Sequence, residues 1–167
     1  MHPDPQRLLE QAEAFYSNAN DETDLRMAVR SAYYAVFHFS LRSAADLLAG
    51  GAHRGTARYN LVYCSVQHKR LKTLCGQLRG SVPERIILPY SPPPPSYFGR
   101  IAVFARLVPG LQEERHRADY HPIVRFDKAR TLQAISTALD AIEHFEAASI
   151  EQRQAFLMLL LFEPRQP

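Results

Sequence analysis

Apolar side chains recur every third or fourth position over two long parts of this chain, which is the spacing of one face of an α-helix. The clearest case follows Asp21 and stops at Gly50-Gly51, a typical helix C-terminal signal. The small or apolar positions of this stripe are Leu25, Ala28, Val29, Ala32, Val36, Phe39 and Ser43. The pattern therefore predicts a long helix that buries one side.

Five further helices follow from the same spacing and from cap residues. The first begins with Asp4 as N-cap and Pro5 in the first turn and ends near Ser17. The others are predicted over Thr56 to Leu78, from after Ser96 to about Arg115, over Asp127 to Ala148, and from Ser149 to near Glu163.

For two of these helices the sequence also predicts which residues are buried. The Asp127 helix shows Leu132, Ile135, Leu139 and Ile142 at heptad-like spacing, which predicts an apolar stripe. The last helix contains an unbroken apolar run, 156–162, behind a predicted Ser149–Gln152 capping box. Such a helix must be covered on more than one side, by the core of its own chain or by a dimer mate.

Proline placement sets the organisation of the chain. No proline occurs from Gln6 to Val82 or from Ile123 to Glu163, so long helices can run there. Pro122 disfavours helical angles at His121, so the preceding helix must break by that point. The proline-rich segment 82–96 is predicted to be a surface loop inside a helical bundle of residues 1–148, with 149–167 a C-terminal helix and tail of the same domain.

Composition supports the all-α class and excludes several others. Alanine and leucine number 40, against 20 for valine, isoleucine and threonine together, which favours helix over sheet. The sequence predicts an antiparallel, up-and-down bundle of four main helices plus extras. No apolar run approaches the roughly 20 residues of a membrane span, and no signal peptide is visible, so a cytoplasmic protein without membrane contact is expected. Cys64 and Cys75 lack the spacing of a disulfide framework or zinc ribbon.

The charge is unevenly distributed. The net charge is +3, and 17 of the 20 basic residues are arginine. Between Asp46 and Glu84 there is no acidic residue, while this interval holds six basic ones. Arg58, Arg70 and Lys72 in this interval are candidates for nucleic-acid binding, and a solvated helix surface is the alternative.

Arg30, Tyr34 and His38 form the first candidate site, because steps of four place them on one side of a helix. If this polar row is buried, its members need hydrogen-bond partners. It is either the floor of a polar pocket that binds nucleotide or RNA, or a network that fixes helix packing.

The second candidate site is the segment 115–121, which gathers Arg115, Arg117, Asp119, Tyr120 and His121 at a helix break. Arginine holds phosphate in a charge-assisted fork, and histidine titrates near neutral pH. These groups suit metal-independent RNA cleavage, with a histidine as general acid/base and an arginine stabilising the phosphorane. A metal site formed by His116, Asp119 and His121 is a weaker alternative; no metal and no cofactor is expected.

The segment Leu25–His38 resembles the second helix of small stand-alone bacterial HEPN-domain proteins, which carry an R-x-x-Y-Y-A-x-F-H pattern there. Arg30 to His38 match that pattern, and Arg115, Ala118, Asp119 and Tyr120 match the family's later R-x-x-A-D-Y pattern. The similarity extends over residues 6–148.

The resemblance implies an up-and-down bundle that usually dimerises. The active members of the HEPN family are metal-independent ribonucleases of toxin–antitoxin, phage-defence or CRISPR systems. Their R-x(4–6)-H motif corresponds to Arg115 and His121, with His121 as general acid/base, Arg115 as phosphate clamp, and Asp119 and Tyr120 orienting them. The alternative is a non-catalytic HEPN module that binds a nucleotide, RNA or a nucleotidyltransferase-type antitoxin partner. Where some relatives carry a tyrosine that such a partner modifies, this chain has Ile123.

Overall fold

A computed structural model describes residues 2–78 and 98–162 of the chain. Within this part all regular structure is helical, which confirms the all-α class. The helices are α1 (Pro5–Ser17), α2 (Glu22–Ala49), α3 (Ala57–Tyr63), α4 (His68–Leu78), α5 (Gly99–Tyr120), α6 (Lys128–Glu146) and α7 (Ile150–Leu161), with a 3₁₀ turn at Gly51–His53. No described helix is long and apolar enough to cross a membrane. The predicted loop 82–96 lies outside the described residues.

The helix ends that the sequence predicted from cap residues are confirmed. Asp4 accepts a hydrogen bond from the Gln6 amide at 3.1 Å and starts α1. Gly50 ends α2 with a φ of 88°, a conformation that glycine adopts without a Cβ clash. Ser149 and Gln152 form the reciprocal capping box of α7.

The single helix predicted over Thr56 to Leu78 is wrong, because the structure has two helices there. Thr56 caps α3 as its side chain accepts from the Tyr59 amide. The helix then stops at Tyr63, where the Ser65 hydroxyl and amide both donate to the Val62 carbonyl, at 2.7 and 3.1 Å. A hydroxyl that bonds locally in this way competes with helix continuation.

Helix α5 is longer than predicted: it passes Arg115 and ends at Tyr120, directly before His121. The break at His121 is confirmed. Pro109 lies inside this helix, where its missing N–H removes one helical hydrogen bond. At the helix start, Gly99 has a φ of 33°, a conformation that L side chains rarely adopt, and a Cβ there would lie 3.0 Å from the Gln152 side-chain amide, so this position favours glycine.

The buried face of α6 also differs from the prediction. Leu132 and Leu139 are 47% and 41% exposed, although the heptad-like spacing assigned them to the apolar stripe. Ile135 of the predicted stripe is buried, together with Thr131, Ala134, Ala138, Ala141 and Phe145. Alanines make up half of this buried face, so a pattern based on large residues assigns both leucines to the wrong side.

The chain divides into two compact units: 1–39 with 107–142, and 40–106 with 143–167. In the first unit, α1, the start of α2, the end of α5 and most of α6 contribute a core that includes Leu9, Val29, Tyr33, Leu111 and Ile135. The predicted single-domain organisation and the up-and-down bundle order remain predictions.

Three phenylalanine rings meet in the core of the second unit. Phe104, Phe145 and Phe156 meet edge to face, with ring centres 5.2 to 5.8 Å apart. Phe156 belongs to the apolar run of α7, in which Leu157, Leu159 and Leu160 are also buried. Phe162 is 51% exposed, so the run is covered on several sides but not on all.

Phe156→Ala should lower the free energy of unfolding by about 3–5 kcal/mol, because it leaves a cavity between two aromatic rings. Phe162→Ala is the matched control and should change it by less than about 0.5 kcal/mol, since that ring is half exposed. Urea unfolding followed by circular dichroism measures both; equal effects of the two substitutions would contradict the packing described for α7.

Candidate functional site

The carbonyl end of α5, which carries the 115–121 segment, is held by Arg26 from the second turn of α2. The Arg26 guanidinium donates to the carbonyl oxygens of Ala118 at 2.9 Å and Val124 at 2.5 Å. It also lies 3.4 Å from those of Arg117 and His121. A helix C-terminus leaves carbonyls without helical donors, and a cation there is favourable. Arg26 thereby fixes the backbone on both sides of His121.

Glu22 completes this arrangement from the first turn of α2. Its carboxylate accepts hydrogen bonds from Arg26 at 2.9 Å, Arg125 at 3.0 Å and the Phe126 amide at 3.2 Å. The bonds from Arg125 and Arg26 lower the pKa of Glu22 below its ordinary value. The Phe126 ring is buried, and the Arg26 and Arg130 guanidinium carbons lie 5.0 and 4.4 Å from its centre. The loop after α5 is therefore held in one conformation.

Arg115 lies one turn before the end of α5 and is largely buried, with 11% of its side chain exposed. Its guanidinium forms an ion pair with Asp119 at 3.2 Å and lies 5.1 Å from the centre of the Tyr33 ring. Burial alone would lower the pKa of Arg115, but the Asp119 carboxylate and the neighbouring Tyr33 and Tyr34 raise it. Its buried Nε has no hydrogen-bond partner among the described residues.

His116, Tyr120 and His121 form an exposed group, here called the imidazole cluster. The His116 ring centre lies 5.0 Å from that of Tyr120 and 5.3 Å from that of His121. Tyr120 is 65% exposed, and both histidines are exposed. The structure thus pairs His121 with His116, whereas the Arg115 guanidinium is paired with Asp119 and Tyr33.

The predicted row on α2 forms a partly exposed ladder. The Arg30 guanidinium lies 5.7 Å from the centre of the Tyr34 ring, and Tyr34 stacks on His38 at 5.9 Å. Arg30 is exposed, while Tyr34 and His38 are half-buried. The Tyr33 ring meets Tyr34 edge to face at 5.6 Å. Since Arg115 stacks on Tyr33, the two sequence motifs come together through this contact.

The remaining predicted cations have structural partners or lie on the surface. Arg117 pairs with Glu114 at 3.1 Å and with Glu113 at 3.6 Å. In the second unit, Arg58 donates to the Ala49 carbonyl at the end of α2, and Arg70 donates to the Leu159 and Leu160 carbonyls at the end of α7. Lys72 is exposed. Binding of nucleic acid by these residues stays a prediction.

The structure gives no support to the metal alternative for the 115–121 segment. No group of three histidine, cysteine, aspartate or glutamate side chains in residues 2–78 and 98–162 is arranged to hold a metal ion. Asp119, which that alternative needs, pairs with Arg115. Cys64 and Cys75 are free thiols, as predicted from their spacing, and burial raises the pKa of Cys75.

A groove of about 330 Å³ lies elsewhere in the first unit and contains none of the predicted site residues. It is lined by Gln11, Ala14, Phe15, Asn18, Asn20 and Asp24. Asp24 is the charged group of this lining, and its carboxylate accepts from the Asn20 amide at 2.9 Å. A negative charge repels phosphate, so this groove does not suit a nucleic-acid backbone.

Sequence reasoning missed the residues that position the site: Glu22, Arg26, Glu114 and Arg130. Arg130 forms a short ion pair with Glu114, at 2.6 Å, and donates to the Arg125 carbonyl at 3.1 Å. One signal was present, because Glu22 and Arg26 stand four residues apart at the start of a long helix, where such pairs form. The partners that lie about a hundred residues away leave no local signal.

Comparison with protein-family models, with curated proteins and with solved structures found no match to this chain.

Arg26→Gln should lower the free energy of unfolding by about 1–3 kcal/mol, because it leaves the Ala118 and Val124 carbonyls without the guanidinium donor, while Glu22 keeps its ion pair with Arg125. Arg30→Gln, four residues further along the same helix, should change it by less than about 0.5 kcal/mol, since Arg30 is exposed. Urea unfolding at neutral pH measures both variants. Equal stability of Arg26→Gln and the wild type would show that the guanidinium does not hold the end of α5.

Proposed function

We propose that the chain is a HEPN-like protein that acts on RNA at the imidazole cluster and cleaves it without a metal ion. The observation that carries the proposal is the pair of exposed imidazoles, His116 and His121, with ring centres 5.3 Å apart. RNA cleavage by its own 2′-hydroxyl needs one group that accepts a proton and one that donates a proton, and imidazole serves in both roles near neutral pH.

The reaction that suits this pair is internal transphosphorylation. One imidazole takes the proton of the 2′-hydroxyl while the 2′-oxygen attacks phosphorus and the bond from phosphorus to the 5′-oxygen breaks. The other imidazole, protonated beforehand, gives its proton to the departing 5′-oxygen. The products are a 2′,3′-cyclic phosphate and a 5′-hydroxyl, and no oxidant, metal or further reactant is required.

Arginines before and after His121 in the sequence supply positive charge for the phosphate. Arg115 is protonated, as guanidinium groups in proteins are, and Tyr33 and Asp119 fix its orientation. Arg125 is 89% exposed and is held at its guanidinium by Glu22. The exposed ring of Tyr120 offers a surface on which a base can stack. Arg26 is a positioning residue, since it contacts the backbone of His121 and not the imidazole.

A second candidate is a non-catalytic HEPN module that binds RNA, a nucleotide or a nucleotidyltransferase-type partner. It is favoured by the environment of Arg115, whose guanidinium already has an ion-pair partner and whose side chain is 11% exposed. To bind a phosphate, Arg115 would have to break its ion pair with Asp119. Ile123, which is 92% exposed, then supplies apolar surface for a partner. A role in a toxin–antitoxin or defence system and homodimerisation belong to both candidates.

The purified protein should cleave single-stranded RNA in the presence of EDTA. His121→Ala and His116→Ala should each reduce the rate about 100-fold or more, because each removes one of the two proton-transfer groups. His53→Ala, which removes an exposed histidine of the second unit, is the matched control and should leave the rate unchanged. Gel analysis of labelled RNA measures the rates and identifies the cyclic phosphate.

Cleavage of equal rate in the wild type and both histidine variants would indicate a contaminating nuclease and contradict the proposal. Loss of cleavage on addition of EDTA would do the same. Salt-sensitive RNA binding without cleavage would favour the non-catalytic candidate.

A further inference from the structure

The groove beside the end of α1 is a candidate binding site that the proposed cleavage of RNA does not use. Its volume is about 330 Å³, and its walls are α1, the loop after it and the first turn of α2. All of its lining residues belong to the first unit. This volume lies at the lower end of the range for ligand sites in proteins, so the groove is large enough for a small ligand or a long side chain.

Asp24 gives this groove a negative charge that no described residue neutralises. Its Oδ2 accepts from the Asn20 amide at 2.9 Å, and the side chain forms no ion pair with any residue of 2–78 or 98–162. The surrounding segment 8–25 contains five acidic residues and no lysine or arginine. The groove therefore attracts a cation, and Oδ1 of Asp24 is available to bind it.

The end of α1 adds hydrogen-bond acceptors to this charge. Asn18 follows the last residue of α1, and its Nδ2 donates to the Ala14 carbonyl at 3.0 Å, so its Oδ1 remains an acceptor. A helix C-terminus carries a partial negative charge and leaves its last carbonyl oxygens without helical donors. The N-terminus of α2 has the opposite sign, but Glu22 and Asp24 in its first turn offset that partial charge. The groove thus presents acceptors to a group that carries several donors.

Phe15 and Ala14 form the apolar part of the lining. Phe15 is half-buried, so part of its surface is accessible. A guanidinium is planar, stacks on aromatic faces and binds a carboxylate through two parallel bonds, whereas an ammonium is a compact and strongly hydrated charge. A carboxylate, an amide oxygen and an aromatic ring in one groove therefore match a guanidinium on an aliphatic stem.

Gln11 extends the groove along α1 toward the helix N-terminus. It precedes Asn18 by two helical turns, which is about 10 Å along the helix axis. Its exposed carboxamide forms no hydrogen bond with any described residue. A carboxamide offers both a donor and an acceptor, as a peptide group does. An arginine whose guanidinium lies at Asp24 can therefore place its own peptide group beside Gln11.

We propose that the groove binds an arginine side chain presented by a peptide segment of another protein. Asp24 and the Oδ1 of Asn18 accept hydrogen bonds from the guanidinium. Phe15 and Ala14 cover the aliphatic stem, and Gln11 bonds to a peptide group of the segment. Most of the lining residues are exposed, so the groove covers one side of its ligand and suits a side chain that is anchored by its own protein. The inference does not depend on the proposed action on RNA, since no lining residue belongs to the imidazole cluster.

A series of capped tripeptides tests the ligand chemistry on the wild-type protein. Each carries one central residue between two glycines: arginine, lysine, or citrulline, which has the shape of arginine without its charge. The arginine peptide should bind with a Kd of about 1 mM and shift the NMR signals of the Asn18 and Asn20 side-chain amides. The citrulline peptide should bind at least about tenfold more weakly, because it lacks the charge-assisted bond to Asp24. The lysine peptide should bind at least about threefold more weakly, since it cannot form two parallel bonds.

Butylguanidinium distinguishes a peptide from a free cation, because it keeps the guanidinium and the stem but has no peptide group. It should bind the wild type at least about threefold more weakly than the arginine peptide does. In Gln11→Ala the two ligands should bind equally, since the side chain that contacts the peptide group is then absent.

Substitutions in the groove locate the binding group. Asp24→Asn keeps an acceptor for the Asn20 amide and should weaken binding of the arginine peptide about tenfold or more. Phe15→Leu should weaken it about two- to fivefold through the loss of stacking. Glu13→Gln is the matched control, because it removes an exposed charge of α1 outside the lining, and it should change binding less than about twofold. Circular dichroism verifies the fold of each variant.

Equal binding of the arginine and citrulline peptides would overturn the proposal, and so would equal losses in Asp24→Asn and Glu13→Gln, because the carboxylate of the groove would then not be the binding group. Binding of the lysine peptide or of butylguanidinium as tightly as the arginine peptide would overturn the assignment of the ligand. Unshifted Asn18 and Asn20 side-chain amides at about 10 mM arginine peptide would show that the groove does not bind it.

Discussion

The carbonyl ends of helices must find donors, and in this chain arginine side chains from other helices supply several of them. Arg26 donates to the end of α5, Arg58 to the end of α2, and Arg70 to the end of α7. A guanidinium offers several N–H groups in one plane and keeps its charge, so one side chain can satisfy two or three carbonyls. Some of the 17 arginines of this chain thus serve to terminate helices.

For the candidate site, the most important positioning side chain is that of Arg26. It fixes the backbone from Ala118 to Val124, and that backbone sets where the His121 ring can lie relative to His116. The sequence predicted the residues of the 115–121 segment and its helix break. It could not predict which arginine points inward, because Arg115 and Arg117 differ in burial only through the neighbouring helices. The pairing of Arg115 with Tyr33 joins residues far apart in sequence, and no local spacing encodes that contact.

The fold was predicted best where the determinants are local. Asp4, Gly50 and Ser149 end or begin helices through bonds to residues within four positions, and each was recognised. The prediction failed where a single side chain determines the end of a helix or where tertiary packing determines its buried face. The Ser65 hydroxyl interrupts a helix in a segment whose apolar spacing is continuous. On α6, three of the six buried positions are alanines, and the two larger, exposed leucines dominate the apolar pattern of the sequence.

The most direct test of this account is amide hydrogen exchange of the loop after α5 in the wild type and in Arg26→Met. The amides of His121, Val124 and Phe126 are hydrogen-bonded to Arg117, His121 and Glu22 respectively. Removal of the guanidinium should accelerate their exchange about tenfold or more, while the Asn18 amide at the end of α1 keeps its wild-type rate. Unchanged exchange at all three amides would contradict the claim that Arg26 holds the site in place.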